Sequence, residues 1–270
     1  MFTASKADVS KRKRVRKNEI IELTRDNIDD NHICCALGTK QYEDAVNEKK
    51  SWLKDRMIDG LVFYRLNERA KVFIEYLPAE EAWVPVSAPH FMFINCLWVS
   101  GKYKNNGHAK HLLEKCVSDA KSRGMDGIVH IVGKKKLPYL SDKHFFEHMG
   151  FAVQDEAEPY FQLMSLTWNK HAYPPVFKKQ VKSNSVNDEG ITVFYTAQCP
   201  FAVGLLKDLK ELTEKKGLHF QARRITSKDM AQKSPAVWTT FSVFYNGTFL
   251  THEMMSVNKF EKILNKLLMA

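Results

Sequence analysis

The 270-residue sequence has no apolar run close to the about 20 residues that a membrane-spanning helix needs. Its N-terminus is charged but has no apolar core behind the charge, so no secretory signal is expected. The five cysteines are odd in number, and their spacing fits neither a disulfide framework nor a zinc site. These absences predict a cytoplasmic protein with no membrane association and no bound metal.

Acidic residues are scarce where the positive charge is concentrated. Residues 1–17 hold seven basic residues and one aspartate, and so carry +6 of the formal net charge of +10. Such a segment could contact nucleic acid or form a solvated tail. Because no aromatic residue lies between positions 11 and 17, we expect a basic flexible tail over 1–18 and no nucleic-acid partner. The remaining +4 suits the binding of a polyanionic cofactor.

The stretch from position 91 to 120 organises the rest of the chain. Residues 91–99 are almost continuously apolar and predict a buried strand. A polar, basic turn follows over 100–106, and the apolar residues after Gly107 fall on one helical stripe that ends near Gly124. The free N–H groups of such a helix could bind an anion. An ordinary strand–helix turn with a solvated face would have the same spacing.

Periodicity divides the remaining sequence into two groups of elements separated by a weakly patterned segment. The first group comprises strands at 20–23, 61–66, 70–77, 128–132, 151–154 and 160–168 and helices at 27–37, 42–57 and 141–148. Residues 170–190 contain Pro174-Pro175 and several polar residues, which predicts a linker. The second group comprises strands at 191–195 and 218–222, a hairpin at 240–252, and helical segments at 201–216, 227–232 and 257–268.

Two motifs carry a resemblance to a known family. Residues 104–109 (Lys-Asn-Asn-Gly-His-Ala) resemble the acyl-CoA pyrophosphate loop of the GNAT N-acetyltransferases, with Lys104 where the family has Arg or Gln. Residues 145–151 resemble the family's Leu-Tyr-x-x-x-Gly-Phe ending. Together with the stretches 72–80, 82–85 and 94–101, these motifs are similar to the YoaP type, in which a GNAT domain is joined to a small thioredoxin-like domain.

The resemblance implies an α/β (α+β) fold class. A GNAT mixed sheet flanked by helices is expected over 19–169, and a thioredoxin-like βαβαββα domain over 191–270. It further implies an acyl-CoA-dependent N-acetyltransferase that moves an acetyl group directly from acetyl-CoA to an amine of a small molecule or peptide. The residues expected to bind acetyl-CoA are Leu97, Trp98 and Val99 along the strand and Lys104, Asn105, Asn106, Gly107, His108 and Ala109 in the loop.

The general base is expected among the carboxylates that precede the central strand. Glu75 stands in a run that is otherwise apolar. There it would have a raised pKa and act through water, or it would face solvent as an ordinary strand residue. Glu80 and Glu81 in the following loop are the alternatives. Trp83 and His90 are candidates for the wall of the acceptor pocket, and Trp83 is equally suited to the core.

The general acid is the main departure from the family pattern. The chain has Phe146 where family members often place a tyrosine, and a phenyl ring cannot donate a proton. Tyr139 and His144 lie close enough in the sequence to substitute. Water could also protonate the departing CoA thiolate.

Residues 196–202 (Thr-Ala-Gln-Cys-Pro-Phe-Ala) resemble the active-site turn of thioredoxin-like proteins. Cys199 would then lie at a helix N-terminus, which lowers the pKa of a thiol. Ala202 occupies the position of the second cysteine, so this motif cannot run a dithiol cycle. Cys199 is therefore a candidate monothiol site, a substrate contact or a remnant within an accessory module. The alternative function is a non-catalytic acyl-CoA-binding or thiol-sensing protein that uses Cys199.

Overall fold

A computed structural model describes residues 19–269, and the basic tail expected at 1–18 lies outside the described residues. The first group of elements is β1 (Ile20–Leu23), α1 (Glu43–Ile58), β2 (Val62–Leu66), β3 (Val72–Pro78), β4 (Val86–Ser87), β5 (Phe91–Val99), α2 (His108–Ser122), β6 (Gly127–Gly133), α3 (Lys143–His148), β7 (Ala152–Ala157), β8 (Phe161–Thr167) and β9 (Val176–Phe177). The second group is β10 (Ile191–Tyr195), α4 (Pro200–Lys215), β11 (Phe220–Arg224), α5 (Lys228–Gln232), β12 (Phe241–Tyr245), β13 (Thr248–Thr251) and α6 (Val257–Leu268).

Seven strands form the first sheet, in the order β1-β2-β3-β5-β6-β8-β7. Every neighbouring pair in it is antiparallel except β5 and β6, which run parallel. The apolar runs that predicted β5 and β6 are buried because helix α2 covers one face of the sheet and other elements cover the opposite face. The predicted mixed sheet flanked by helices is therefore confirmed.

The second sheet has the order β11-β10-β12-β13. Strands β10 and β11 are parallel, whereas β12 is antiparallel to both of its neighbours, β10 and β13. Helices α4 and α6 pack on one face of this sheet around Val193, Leu209 and Phe260. The elements follow one another in the predicted βαβαββα order, and the likeness to thioredoxin stays a prediction.

The predicted helix at 27–37 is wrong. The described chain there forms turns and bends, and both Cys34 and Ala36 have positive φ angles, of 62° and 49°. A left-handed backbone at these positions cannot continue a right-handed helix. Ile28 and Ile33 are fully buried in the core instead, so their packing fixes the loop without a helix.

The N-terminus of the short helix α3 also differs from its prediction. Asp142, not Ser141, is the N-cap residue, and its side chain accepts a hydrogen bond from the backbone N–H of His144 at 3.2 Å. The hydroxyl of Ser141 is engaged elsewhere, with the ring of His130. Two adjacent residues can both cap a helix, and sequence alone does not decide between them.

The segment 170–190 is not an exposed spacer. Strand β9 lies within it and pairs with β4 of the first group. Phe177 and Val181 are buried in the main core. That core also contains Phe63 from the first sheet together with Phe194 and Trp238 from the second group. The boundary proposed at 170–190 stays a prediction, but the two sheets share one apolar core.

None of the helices within residues 19–269 is long and apolar enough to cross a membrane.

Candidate active site

A groove opens beside helix α2 where the pairing of β5 with β6 ends. The two strands form three residue pairs, the last between Phe93 and Val129. The imidazole of His130 then binds the backbone of β5, with Nδ1 lying 2.8 Å from the carbonyl oxygen of Ile94. The groove has a volume of about 680 Å³. It is lined by Leu97, Trp98, Val99, Tyr103, Lys104, Asn105, Gly107, His108, Ala109, Lys110, Lys136, Leu137, Pro138, Leu140, Ser141, Asp142, Phe145 and Phe146. We call it the α2 groove.

The loop that enters α2 is built to receive an anion. Gly107 is the N-cap residue and has φ of +76°, a conformation that favours glycine. No side chain caps the first turn of α2, and no acidic residue lies in that turn. The N–H groups therefore remain available to a ligand, and Lys104, Lys110 and Lys136 line the same groove. These features fit a pyrophosphate.

Eight of the nine predicted acetyl-CoA residues line this groove. The ninth, Asn106, does not, because its side-chain amide donates to the carbonyl oxygen of Lys102 at 2.9 Å. Asn106 therefore stabilises the turn before Gly107 through that bond.

Phe146 leaves the groove without the tyrosine hydroxyl of the family pattern. Its ring is buried, lines the groove and packs on the ring of His130, with ring centroids 4.6 Å apart. Since a carbonyl can only accept, Nδ1 of His130 donates to Ile94. Burial lowers the pKa of His130 to about 4, so the ring is neutral and Nε2 accepts from the hydroxyl of Ser141 at 2.9 Å. His130 thereby links the strand, Ser141 and Phe146 into one wall.

A second cavity, of about 420 Å³, lies between the two sheets. It is lined by Cys34, Cys35, Lys49, Lys71, Phe73, Glu75, Asn95, Cys96, Trp98, Pro138, Tyr139, Gln198, Cys199, Phe201, Trp238, Thr240 and Met254. We call it the inter-sheet cavity. Trp98 and Pro138 line this cavity and also the α2 groove. The two spaces therefore share two wall residues at the end of β5.

A buried ion pair forms one wall of the inter-sheet cavity. Glu75 is fully buried, and its Oε2 accepts from Nζ of Lys49 at 2.8 Å. Its Oε1 accepts from the side-chain amide of Gln198 at 3.3 Å. Burial disfavours the charged amine of Lys49, but the charges of Cys35 and Glu75 outweigh it and raise the pKa of Lys49. Lys49 stays protonated, so Glu75 is held in a dry site by one cation and one neutral donor.

A bulge shapes β5 beside this ion pair. Glu75 lies opposite Cys96 and Tyr76 opposite Ile94, so Asn95 is the extra residue on β5. A bulge interrupts the ladder and re-aims neighbouring side chains. Asn95 and Cys96 both line the inter-sheet cavity.

The structure places the two candidates for the general acid, Tyr139 and His144, in different surroundings. Tyr139 lines the inter-sheet cavity, where burial, followed by the neighbouring Cys199, raises the pKa of its hydroxyl. His144 lines neither space. Its side chain is 89% exposed and pairs with Glu147 at 3.0 Å on the outer surface of α3. Of the two, only Tyr139 lines the inter-sheet cavity, next to Pro138, which lines both spaces.

The alternative bases lie outside both spaces. Glu80 accepts a hydrogen bond from the backbone N–H of His90 at 2.6 Å, and Glu81 pairs with Lys228 at 2.7 Å. Trp83 and His90, the residues expected in the acceptor pocket, do not line the inter-sheet cavity. Trp83 is instead a core residue with its ring beside Trp52. Glu75 is the one predicted base that the inter-sheet cavity contains.

The expectation that a helix N-terminus lowers the pKa of Cys199 is wrong. Burial raises the pKa of this thiol to about 12, with a further contribution from Cys35. The backbone N–H groups of Phe201 and Ala202 do act in the expected direction, but their effect is smaller than that of burial. Cys199 is thus a neutral thiol in the cavity wall, not an activated thiolate.

Several residues of the site escaped sequence reasoning. Lys49 could have been found, because it stands four residues after Ala45 and four before Leu53, which puts a lysine on the buried face of α1. Gln198 is separated from Glu75 by 123 positions, and no local pattern links them. Across residues 19–269, no three His, Cys, Asp or Glu side chains are grouped so that they could hold a metal ion.

The open sheet beside an uncapped helix fits the acyl-CoA-binding fold expected from the sequence, and comparison with known proteins specifies the family. Residues 30–151 match the Acetyltransferase (GNAT) family, and residues 220–262 match the YoaP-like family. The "Uncharacterized N-acetyltransferase YoaP" of Bacillus subtilis (strain 168) is 75% identical over 247 residues, which is 92% of this chain and 98% of that protein. The chain therefore belongs to the GNAT family of N-acetyltransferases, and acetyl-CoA is its acyl donor.

Solved structures of similar fold cover about half of the chain. The PaiA N-acetyltransferase from Thermoplasma acidophilum, in complex with coenzyme A, is 16% identical, spans 56% of this chain and 98% of its own, and has a TM-score of 0.39. A GNAT acetyltransferase from Staphylococcus aureus Mu50 is also 16% identical, spans 56% and 99% of the two chains, and has a TM-score of 0.40.

Proposed function

We propose that the protein transfers the acetyl group of acetyl-CoA directly to an amine that occupies the inter-sheet cavity. The observation that carries this proposal is that the α2 groove and the inter-sheet cavity share two lining residues, Trp98 and Pro138. A donor in the groove and an acceptor in the cavity would face each other there. Bringing two reactants together in this way removes much of the entropic cost of a bimolecular step.

The α2 groove supports the proposed placement of the donor. The pyrophosphate would lie at the N-terminus of α2, where Gly107 leaves room and Lys104 adds positive charge. The pantetheine arm would follow residues 97–99, whose edge towards β6 has no strand partner after Phe93 in the described sheet. The same unpaired edge offers backbone N–H groups that could polarise the thioester carbonyl.

The proton transfers are assigned to two residues of the inter-sheet cavity. Glu75 is the proposed base, because it is the carboxylate in this cavity and is buried beside the end of β5. Lys49 holds it in place, and water would relay the proton. Tyr139 is the proposed acid, because it lines the inter-sheet cavity next to Pro138, which also lines the α2 groove.

The alternative of a non-catalytic thiol sensor that uses Cys199 has weaker support. A sensor cysteine needs thiolate character and access to solvent. Burial raises the pKa of Cys199 to about 12. The same property argues against an acetyl-cysteine intermediate and favours direct transfer. The five unpaired thiols suit the reducing cytoplasm in which we place the protein.

The experiment that tests this function is the release of free CoA from acetyl-CoA in the presence of a panel of amines. We expect release that depends on both enzyme and amine, with the acetylated amine as the second product. The Glu75→Gln variant keeps the shape of the side chain and should lose most of the rate while retaining CoA affinity. If no amine stimulates release although CoA binds, a non-catalytic acyl-CoA-binding role replaces the proposal.

A further inference from the structure

We infer that the turn 196–202 completes the acetyltransferase site, with Gln198 positioning Glu75, and that the acceptor admitted there is a small monoamine with an apolar body. This inference rests on the proposed function and assigns a specific task to the C-terminal elements. The turn resembles a redox turn in sequence, yet its second cysteine position is Ala202. Three of its side chains, those of Gln198, Cys199 and Phe201, line the inter-sheet cavity.

Glu75 is held by one side chain from each group of elements, Lys49 from the first and Gln198 from the second. Lys49 binds Oε2 from helix α1, and Gln198 binds Oε1 from the turn before α4. Gln198 is 6% exposed and Glu75 is fully buried, so solvent does not compete for this bond. The amide therefore fixes the orientation of a carboxylate that lies in the other sheet. Gln198 is a positioning residue, since it acts through Glu75.

Close packing fixes the distance between the turn and Glu75. Gly204 of α4 has no room for a side chain, because a Cβ atom there would lie 2.1 Å from the ring of Tyr42. Tyr42 packs edge-on against Phe201, which lines the cavity. Tyr42, which directly precedes α1, therefore packs against α4 at Gly204, and no larger side chain fits between them.

The C-terminal elements also hold the wall that the cavity shares with the α2 groove. His252 is buried, and its Nε2 donates to the carbonyl oxygen of Pro138 at 2.9 Å. Its Nδ1 accepts from the hydroxyl of Tyr160 at 2.7 Å. Pro138 lines both spaces. The C-terminal elements therefore hold Pro138, a residue of the wall between the two spaces, in place.

The lining of the cavity specifies the class of acceptor. A volume of about 420 Å³ suits a small molecule, and the second sheet covers it, so a folded protein surface cannot enter. The walls are largely apolar and include Phe73, Phe201 and Trp238. Two lysines, Lys49 and Lys71, outnumber the one carboxylate, which is already paired. A second positive charge on the acceptor would be repelled, which excludes polyamines.

The first experiment replaces the amide that contacts Glu75. Gln198→Met keeps the length of the side chain and removes the donor. Losing a hydrogen bond to a buried charge should lower kcat/KM for the amine by about ten- to a hundredfold, and the KM for acetyl-CoA should not change. The matched control is Gln232→Met, which removes amide contacts to Glu80 and Lys178 between the same two groups of elements but away from the cavity. An equal effect of both variants would show a structural role only and overturn the inference.

The second experiment moves the turn without changing any cavity residue. Gly204→Leu forces α4 away from Tyr42 and should abolish acetyl transfer while CoA binding remains. Adding Tyr42→Ala makes space for the leucine and should restore at least part of the rate. Full activity of Gly204→Leu would show that acetyl transfer does not depend on the position of the turn 196–202, and would overturn the inference. If Gly204→Leu does not fold, the Gln198→Met comparison still decides.

The third experiment compares acceptors of the same reaction. The probes are 2-phenylethylamine, spermidine and a lysine-containing peptide. We expect the highest kcat/KM with 2-phenylethylamine, and Trp238→Ala should change the ranking by widening the cavity. A preference for spermidine or the peptide would overturn the acceptor class, whereas the proposed function would stand. Absence of CoA release with every amine would instead reject the proposed function itself.

Discussion

Placing a carboxylate at the N-cap of α2 should weaken acetyl-CoA binding at least tenfold. In Gly107→Glu the new side chain projects into open space, because no atom lies within 4 Å of a Cβ built there. A carboxylate about 6 Å from a phosphate charge costs about 0.7 kcal/mol at the dielectric constant of water and about 3 kcal/mol at an effective value of 20. With a pyrophosphate present, the Kd for CoA should therefore rise at least tenfold, by about 1.4 kcal/mol or more.

The structure supplies a matched control at the other end of the same helix. Gly124 also has a positive φ, +69° against +76° for Gly107, and a Cβ there is likewise free of contacts. An L-residue in this conformation costs about 1–2 kcal/mol of stability, so both glutamates should destabilise the fold similarly. Gly124→Glu should leave CoA affinity intact. Gly107→Gln introduces the same backbone strain as Gly107→Glu without the negative charge, so a comparison of the two variants separates these effects.

Isothermal titration calorimetry with CoA, combined with thermal unfolding of each variant, gives both quantities. The result that would refute the reasoning is equal CoA affinity of Gly107→Glu and Gly124→Glu in folded protein. It would mean that the pyrophosphate does not bind at this helix terminus.

Three further predictions follow from buried groups. Lys49→Met leaves Glu75 unpaired and should lower the free energy of unfolding by about 3–5 kcal/mol in urea titrations, whereas adding Glu75→Leu should recover most of it. Since burial lowers the pKa of His130 from 6.5 to about 4, the unfolded chain binds a proton first as pH falls through 6.5. The free energy of unfolding should then be lower by about 3 kcal/mol at pH 4, and it should vary less with pH in the His130→Gln variant. Cys199 should react with iodoacetamide at pH 7 no faster than Cys96, and rapid selective labelling would contradict the raised pKa of the Cys199 thiol.

Local sequence patterns were sufficient for much of the fold. The apolar run at 91–99 and the amphipathic pattern at 257–268 have the predicted bounds in the structure, because a period of two or 3.6 residues is a local property. The loop before α2 was also predicted, since glycine at an anion-binding helix N-terminus is a local requirement. The helix expected at 27–37 failed because tertiary packing of Ile28 and Ile33 outweighed a weak local preference.

The inter-sheet cavity could not be predicted from local patterns. Its lining comes from segments that are far apart in the chain, such as Lys49, Asn95 and Trp238. The segment 170–190 was predicted to be a linker because it lacks a sustained apolar period, and its residues Phe177 and Val181 are buried in the core. Sparse apolar anchors of this kind give no periodic signal.

The most direct test of the account is a set of initial rates measured while acetyl-CoA and an acceptor amine are both varied. The central claim is that donor and acceptor are bound together, in the α2 groove and the inter-sheet cavity, which share Trp98 and Pro138. Direct transfer predicts double-reciprocal lines that intersect. Parallel lines, with an acetylated enzyme that accumulates when the amine is omitted, would show a ping-pong route through an acetyl-enzyme and would contradict the account.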